Sequence, residues 1–320
     1  MYDVLALGEL LIDFACDRIN ENGYPTMTAH PGGAPANFLA TLTKFGAKTA
    51  MIGKVGNDAF GGLLLDTLRD AGVETRGTIV SDKVFTTLAF VTIDKEGDRH
   101  FSFARKPGAD TQLCLEEINK ELIDATRVFH FGTLSLTCEP IKTATQAAVA
   151  YAKERGKLIT YDPNLRKPLW ENLKEAKEQM LWGLHQADVV KLSDEECDFL
   201  FGPIPSELAA RKILDEYDCK LVFVTLGKNG CTFANKNACG SVQGMTGLNV
   251  VDTTGAGDIF GGSAVWKLLQ SGKTPAELEE GELREIAHFA CVSAGLSTET
   301  AGGIPSIPSL KMVNDYVAQD

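Results

Sequence analysis

No run of about 18 apolar residues occurs anywhere in the 320-residue chain, so no segment reads as a helix able to cross a bilayer. There are 8 cysteines, but none pairs as C-x-x-C and no histidine stands at zinc-finger spacing from two of them. Neither a zinc finger nor a disulfide framework is signalled. Positive charge is also scarce: Lys+Arg 31 against Asp+Glu 43 gives a net charge of -12, which repels polyphosphate backbones and excludes a general nucleic-acid binder. Met1-Tyr2-Asp3-Val4 lacks the basic start and apolar stretch of a secretory signal. With the scattered cysteines this gives the expectation of a cytoplasmic protein. Internal repeats, low-complexity tracts and charged tails are missing too.

What the sequence has in excess is glycine, 31 residues, or about one in ten where roughly 7% is usual. Hydrophobic residues at 44% and charged residues at 23% lie in the ordinary globular range. The length allows two average domains or one large α/β domain with an appendage.

Hydrophobic periodicity favours the second. Val4-Leu5-Ala6-Leu7-Gly8 and Leu11-Ile12-Asp13-Phe14 read as two early strands, Ala36 to about Phe45 as a helix, Thr49 to Gly53 as a strand, and Ala59 to Ala71 as a helix closed by Gly72. Between Thr86 and Arg105 the period drops to two, and the Asp94-Lys95-Glu96-Gly97-Asp98 turn makes this a hairpin. Together with the strand near residues 11–14 it is expected to form a small antiparallel sheet, a lid. Strand-like runs at 128–131, 157–161, 188–192 and 221–226 then alternate with helical patterns at 142–155, 172–186 and 205–217, the mark of a parallel sheet. Sites in such sheets lie at the carboxyl ends of the strands.

The glycines concentrate at two helix starts. Asp252-Thr253-Thr254-Gly255-Ala256-Gly257-Asp258 precedes apolar residues at helical spacing, and the free amides of such a turn can cradle an anion. It is neither a dinucleotide fingerprint, since position 260 is Phe260, nor a Walker loop, since Gly272-Lys273-Thr274 has Lys267 where the first glycine is needed. Asp258 is either a first-turn cap or a general base taking a proton from a hydroxyl while the amides hold a transferring phosphoryl group. In the second cluster, Pro31-Gly32-Gly33-Ala34-Pro35-Ala36-Asn37, side-chain-free glycines let a ligand approach the backbone and Asn37 can meet hydroxyls. Asp13, a charge in an apolar strand, is either an exposed strand residue or an acceptor for sugar hydroxyls.

Gly32 to Asn37 followed by Lys54-Val55-Gly56-Asn57-Asp58-Ala59-Phe60-Gly61 resembles the first signature of the ribokinase/PfkB family of carbohydrate kinases, and Asp252 to Phe260 resembles the second. The resemblance runs through to the closing Gly302-Gly303-Ile304-Pro305. It implies a ribokinase-like three-layer α/β/α sandwich with a mostly parallel central sheet, one kinase domain over 1–320, and a β-sheet lid from about 11–30 and 85–107. It also implies ATP as donor, Mg²⁺, and a sugar hydroxyl as acceptor.

By this resemblance Asp258 is the base, Gly255, Ala256 and Gly257 are the anion hole, and Asp13, Gly33 and Asn37 contact sugar. Lys191-Leu192-Ser193-Asp194-Glu195-Glu196 takes the place of an N-x-x-E element, with Ser193 where asparagine is usual and Glu196 tied to Mg²⁺. Lys191, Thr225, Gly227 and Gly230 fall where the nucleotide is met. Asp252 and Thr254, with carbonyls near Ser297, Thr300 and Gly302, resemble a K⁺ site.

The run Tyr161 to Trp170 places Arg166 at a turn, where its guanidinium can fork onto phosphate or a carboxylate. That run and Lys191 to Glu195 are similar to fructokinases, so D-fructose phosphorylated at its 6-hydroxyl is the first expectation. A 2-keto-3-deoxygluconate kinase comes next, followed by other sugar or nucleoside kinases. A non-catalytic sugar sensor is the alternative of a different class, and intact Gly255 to Asp258 argues against it. Apolar Leu88, Phe90, Phe101 and Phe103 give the expectation of a homodimer through the lid.

Overall fold

The computed structural model describes residues 1–93 and 99–319, without the side chains of residues 17, 93 and 99–101, so the Asp94 to Asp98 turn lies outside the described residues. In chain order the strands are β1 (Tyr2–Leu7), β2 (Leu11–Ile19), β3 (Pro25–Gly32), β4 (Thr49–Gly56), β5 (Glu74–Ser81), β6 (Thr87–Ile93) and β7 (Arg99–Ala104). They continue as β8 (Thr126–Gly132), β9 (Leu158–Asp162), β10 (Val189–Ser193), β11 (Leu221–Thr225), β12 (Cys231–Asn235) and β13 (Cys239–Val242). The helices are α1 (Ala34–Lys44), α2 (Ala59–Asp70), α3 (Lys120–Asp124), α4 (Ile141–Glu154) and α5 (Leu173–Gln186). After them come α6 (Asp194–Phe201), α7 (Ser206–Tyr217), α8 (Ala256–Ser271), α9 (Glu280–Ser297) and α10 (Leu310–Val317). Among the described residues no helix is long and apolar enough to cross a membrane.

The main sheet has the order β13-β12-β11-β10-β9-β8-β1-β4-β5 among the described residues. Neighbours from β11 to β5 pair in parallel, while β12 and β13 pair antiparallel at one edge. β1 shows why helices must cover both faces. Leu5 and Leu7 join the core built with α4, α5 and α7, whereas Val4 and Ala6 join the core built with α1, α2 and α8. Period-two alternation in a fully buried strand therefore produces three layers. From β1 the sheet grows one way through β4 and β5 and the other way through β8 to β11, which opens a crevice at the carboxyl ends.

The second sheet has the order β3-β2-β6-β7. It is not wholly antiparallel as expected: β2 and β6 run parallel, with Leu11 opposite Thr87 and Asp13 opposite Ala89, because both leave the main body at the same end. β3 falls largely within the 11–30 segment expected to belong to the lid, but the sequence does not mark it as a strand, since prolines bound it and polar residues blur its alternation. Register also divides the expected apolar dimer surface. Asp13, Ala89 and Phe103 share one face, while Phe90 lies on the other and stacks on Phe14 with ring centroids 5.3 Å apart. Phe14 in turn meets Phe60 of α2, so that face leans on its own chain, and the side chain of Phe101 is not described.

Candidate active site

The two glycine clusters meet at the mouth of the crevice. Gly255 is left-handed at φ 78 and caps α8, and Asp258 sits in the helix's first turn, half-buried. A Cβ on Gly255 would lie 2.9 Å from Gly303 Cα and 3.2 Å from Asn37 Nδ2, and a Cβ on Gly303 would run into Asn37 Oδ1. Gly303 is thus packed between the anion-hole turn and α1, a close approach that only bare backbone permits.

Asp258 is held by two amides. Asn37 Nδ2 donates to Oδ2 at 2.8 Å and Asn164 Nδ2 donates to Oδ1 at 3.1 Å. An ionised carboxylate accepts at about four lone-pair positions, so both oxygens keep capacity for a substrate proton. Burial pushes the Asp258 carboxyl above its usual range; the Asn37 bond and the charges of Lys191 and Arg166 oppose this, and Glu196 adds to it. Ala256 N reaches Thr253 O at 3.3 Å, while the N–H groups of Gly255 and Gly257 meet no acceptor among the described residues. The anion hole expected at residues 255–257 therefore has its most open donors at the two glycines.

Asn164 carries no assigned role in the sequence reading. It is left-handed at φ 48, a conformation asparagine tolerates, and its N–H is tied to Asp162 Oδ1 at 3.1 Å. Strain of this kind concentrates at functional sites. Asp162 also pairs with Lys191, whose Nζ is 3.0 Å from Oδ2. Burial alone would lower Lys191, but Asp162, Glu196 and Asp258 together hold it above its ordinary value. A Cβ on Gly257 would come 3.0 Å from Lys191 Nζ, so this cation lies directly behind the anion hole. A cavity of about 30 Å³ behind Asp258, bordered by Glu9, His130, Asp162 and Lys191, has room for about two waters.

On the sugar side, Asp13 faces Gly32, whose Cβ would lie 3.0 Å from Oδ2. Burial pushes Asp13 up to about 6; Arg166 opposes the rise, while Asp258 and Asp252 reinforce it. Gly33 has φ +113, and a Cβ there would strike the carbonyl oxygen of Glu9. Asn37 Oδ1 is buried with no partner among the described residues. An orphaned acceptor beside Asp258 fits a ligand hydroxyl that supplies the missing donor. Arg166 is exposed and donates to Leu165 O at 3.4 Å, leaving most of its donors uncommitted among the described residues.

The remaining expected residues separate into two groups. Ser193 caps α6 and forms a capping box with Glu196: Ser193 Oγ accepts from Glu196 N at 3.2 Å and Glu196 Oε2 accepts from Ser193 N at 2.8 Å. Oε1 accepts from Leu165 N at 2.7 Å, so Glu196 also anchors the Arg166 turn. Serine thus does at position 193 what asparagine does equally well, which is to cap a helix. Thr225 ends β11 and donates to Leu192 O at 3.2 Å. Gly227 borders open space, whereas Gly230, at φ 100, is crowded by Val242 and Gly244. The second group is the 252–302 corner. Asp252 Oδ1 accepts from Thr254 N and Oγ1, Oδ2 accepts from Gly302 N at 3.0 Å, and Thr300 N donates to Ser297 O at 3.2 Å.

ATP and Mg²⁺ fit this donor set. The glycine amides suit phosphate oxygens. Among the described residues no group of three or more His, Cys, Asp or Glu could hold a metal ion.

Comparison with known proteins agrees with the geometry. The pfkB family carbohydrate kinase profile matches residues 1–310. Fructokinase-2 of Solanum lycopersicum is 40% identical over 308 residues, covering 96% of this chain and 93% of its own length. Fructokinase-1 of Zea mays is 40% identical over 309 residues, with 96% and 94% covered. The structure of fructokinase with bound ATP from Xylella fastidiosa matches with a TM-score of 0.91 at 29% identity, covering 99% of this chain and 98% of that one. The fructose, ADP and calcium ion bound form of fructokinase from Vibrio cholerae matches at 0.88 and 29% identity, with 99% of each chain covered.

Proposed function

The chain belongs to the pfkB family of carbohydrate kinases, and from that premise we propose that it is an ATP-dependent fructokinase acting on the 6-hydroxyl of D-fructose. The observation that carries this is the seating of Asp258 between Asn37 and Asn164, beside the open amides of Gly255 and Gly257. The sugar oxygen attacks the γ-phosphorus of ATP, the bond to the ADP oxygen breaks, and the hydroxyl proton passes to Asp258. The Gly255 and Gly257 amides and the N-terminal dipole of α8 stabilise the charge that builds on the phosphoryl oxygens.

Asp13, Gly33 and Asn37 hold the sugar, and the small sheet serves as the lid of one kinase domain, keeping water from the reacting phosphorus. Arg166 meets phosphate oxygens. Lys191 acts through the anion hole rather than by gripping the nucleotide, because it is paired with Asp162 behind Gly257. Thr225 and Gly227 border the nucleotide, and Gly230 shapes their turn. Mg²⁺, when bound, would offset the charge on the phosphate oxygens, and Glu196 would serve it indirectly by fixing the Arg166 turn. Asp252, Thr254, Ser297, Thr300 and Gly302 form the corner that would take K⁺.

Fructose is favoured over a keto sugar acid because the Solanum and Zea relatives, at 40% identity over nearly the whole chain, are fructokinases. Phosphorus NMR of the product tests the regiochemistry. Fructose 6-phosphate is expected, and a 1-phosphate would overturn the choice of hydroxyl.

A further inference from the structure

All four strands of the small sheet join the main body at one buried polar cluster. Glu9 precedes β2 and is 4% exposed; its Oε1 accepts from Ala34 N at 3.0 Å, just beyond the end of β3. Thr87, the first residue of β6, donates through Oγ1 to Asp110 Oδ1. Arg105 directly follows β7; its Nε donates to Asp110 Oδ2 at 2.8 Å, its Nη1 to Thr137 Oγ1 at 2.9 Å, and its Nη2 to Leu134 O at 2.8 Å. Arg105 and Asp110 are 6% and 3% exposed. Glu9 borders the same cavity as Leu134, whose carbonyl accepts from Arg105 Nη2; burial pushes the Glu9 carboxyl up to about 7, Asp110 adds to the rise and Arg105 opposes it. So costly a set of buried groups persists only when each partner is satisfied.

The same cluster reaches the proposed base by a short path. Glu9 braces the Gly33-Ala34 turn with its carboxylate on one side and its carbonyl oxygen on the other. Gly33 O accepts from Asn37 N at 3.0 Å, and Asn37 Nδ2 donates to Asp258. We propose that Glu9, Arg105 and Asp110 are positioning residues that couple the seating of the small sheet over the sugar to the alignment of Asn37 and Asp258. None of them touches the reacting atoms. This rests on the kinase reading of the site, in which a loosened lid lets water replace the sugar hydroxyl and yields ADP, inorganic phosphate and a proton.

The test compares ADP formed with sugar phosphate formed, alongside hydrogen exchange of the small-sheet amides in the full chain without ligands. Glu9→Ala is expected to raise the fructose KM about tenfold or more and to lift the ADP to sugar phosphate ratio well above one. It should also speed exchange in β2, β3, β6 and β7 while β8 to β11 stay protected. Glu9→Gln keeps an acceptor for Ala34 N and is expected to restore all three. If Glu9→Ala does not fold, Thr87→Val, which removes only one donor to Asp110, is expected to raise the ratio and the exchange by a smaller factor. A ratio of one with unchanged exchange in the folded variant, or Glu9→Gln as impaired as Glu9→Ala, would overturn the proposal. Failure of the kinase reading would show differently, as no sugar-dependent ADP release in the unaltered protein, with the exchange comparison still decisive for the cluster.

Discussion

Asn37 Nδ2 lies 2.8 Å from Asp258 Oδ2, joining residues 221 positions apart in the chain. The contact binds the first glycine cluster to the second, so one hydrogen bond joins the end proposed for the sugar to the end proposed for the phosphate. Asn164 completes the arrangement from the end of β9.

Changing Asp258 to Asn removes the proton acceptor while keeping the shape. Turnover should fall by at least about 10³-fold, while equilibrium fructose binding stays within a few fold. Near-normal turnover with intact binding would remove Asp258 from the role of base. Asn164→Ala frees one oxygen of the carboxylate without deleting it, so a smaller loss, confined to kcat, is expected.

Sugar binding should depend on pH through Asp13. Its carboxyl is pushed up to about 6 by burial, so acidification through that value protonates the acceptor proposed for the sugar. Below it the apparent Kd for fructose, measured calorimetrically without ATP, should rise by up to about tenfold per pH unit. Asp13→Asn should bind weakly with a flat profile. A wild-type profile that is equally flat between pH 5 and 7.5 would contradict the assignment.

Gly303 has an ordinary φ of -76, so alanine there strains no backbone, yet its Cβ would strike Asn37 Oδ1. Gly303→Ala should displace Asn37 and lower kcat/KM by about 10²-fold with only a small change in Tm. Kinetics and thermal melting on the same preparation check this, and wild-type kcat/KM would show that the contact relaxes without consequence.

His130 is buried, stacked on Phe38 at 3.8 Å, and its Nδ1 is 3.0 Å from Thr160 Oγ1. Burial, aided by Lys191, lowers its pKa from 6.5 to about 3. The folded protein keeps the ring neutral where the unfolded chain binds a proton, so stability is full above 6.5 and is lost as pH falls toward 3. Denaturant unfolding between pH 4 and 7.5 should show a loss of up to about 1.4 kcal/mol per unit from this group, absent in His130→Gln. Parallel slopes for the two proteins would rule the effect out.

Much of this was legible in the sequence where a residue type has few alternatives. Glycines at helix starts and an aspartate in the first turn marked the residues proposed as anion hole and base, and period changes between helix and hairpin located the second sheet. The partners of those residues were harder to see. Asn164 looks like any loop asparagine until its left-handed turn is known, and Glu9 is one acid between two apolar strands. Ser193 and Glu196 do spell a capping box, a local signal readable without any relative. The parallel pairing of β2 with β6 was hidden, because the sequence shows alternation but not which strand ends share a root.

The central claim is a kinase specific for fructose, and the most direct test is sugar-dependent ADP release at saturating ATP and Mg²⁺ with fructose, 2-keto-3-deoxygluconate, ribose, tagatose and nucleosides in turn. The structure and its relatives lead to the highest kcat/KM for fructose, with one ADP released per sugar phosphorylated. A wide preference for another acceptor would contradict the substrate, and binding of fructose without ADP release would contradict the kinase itself.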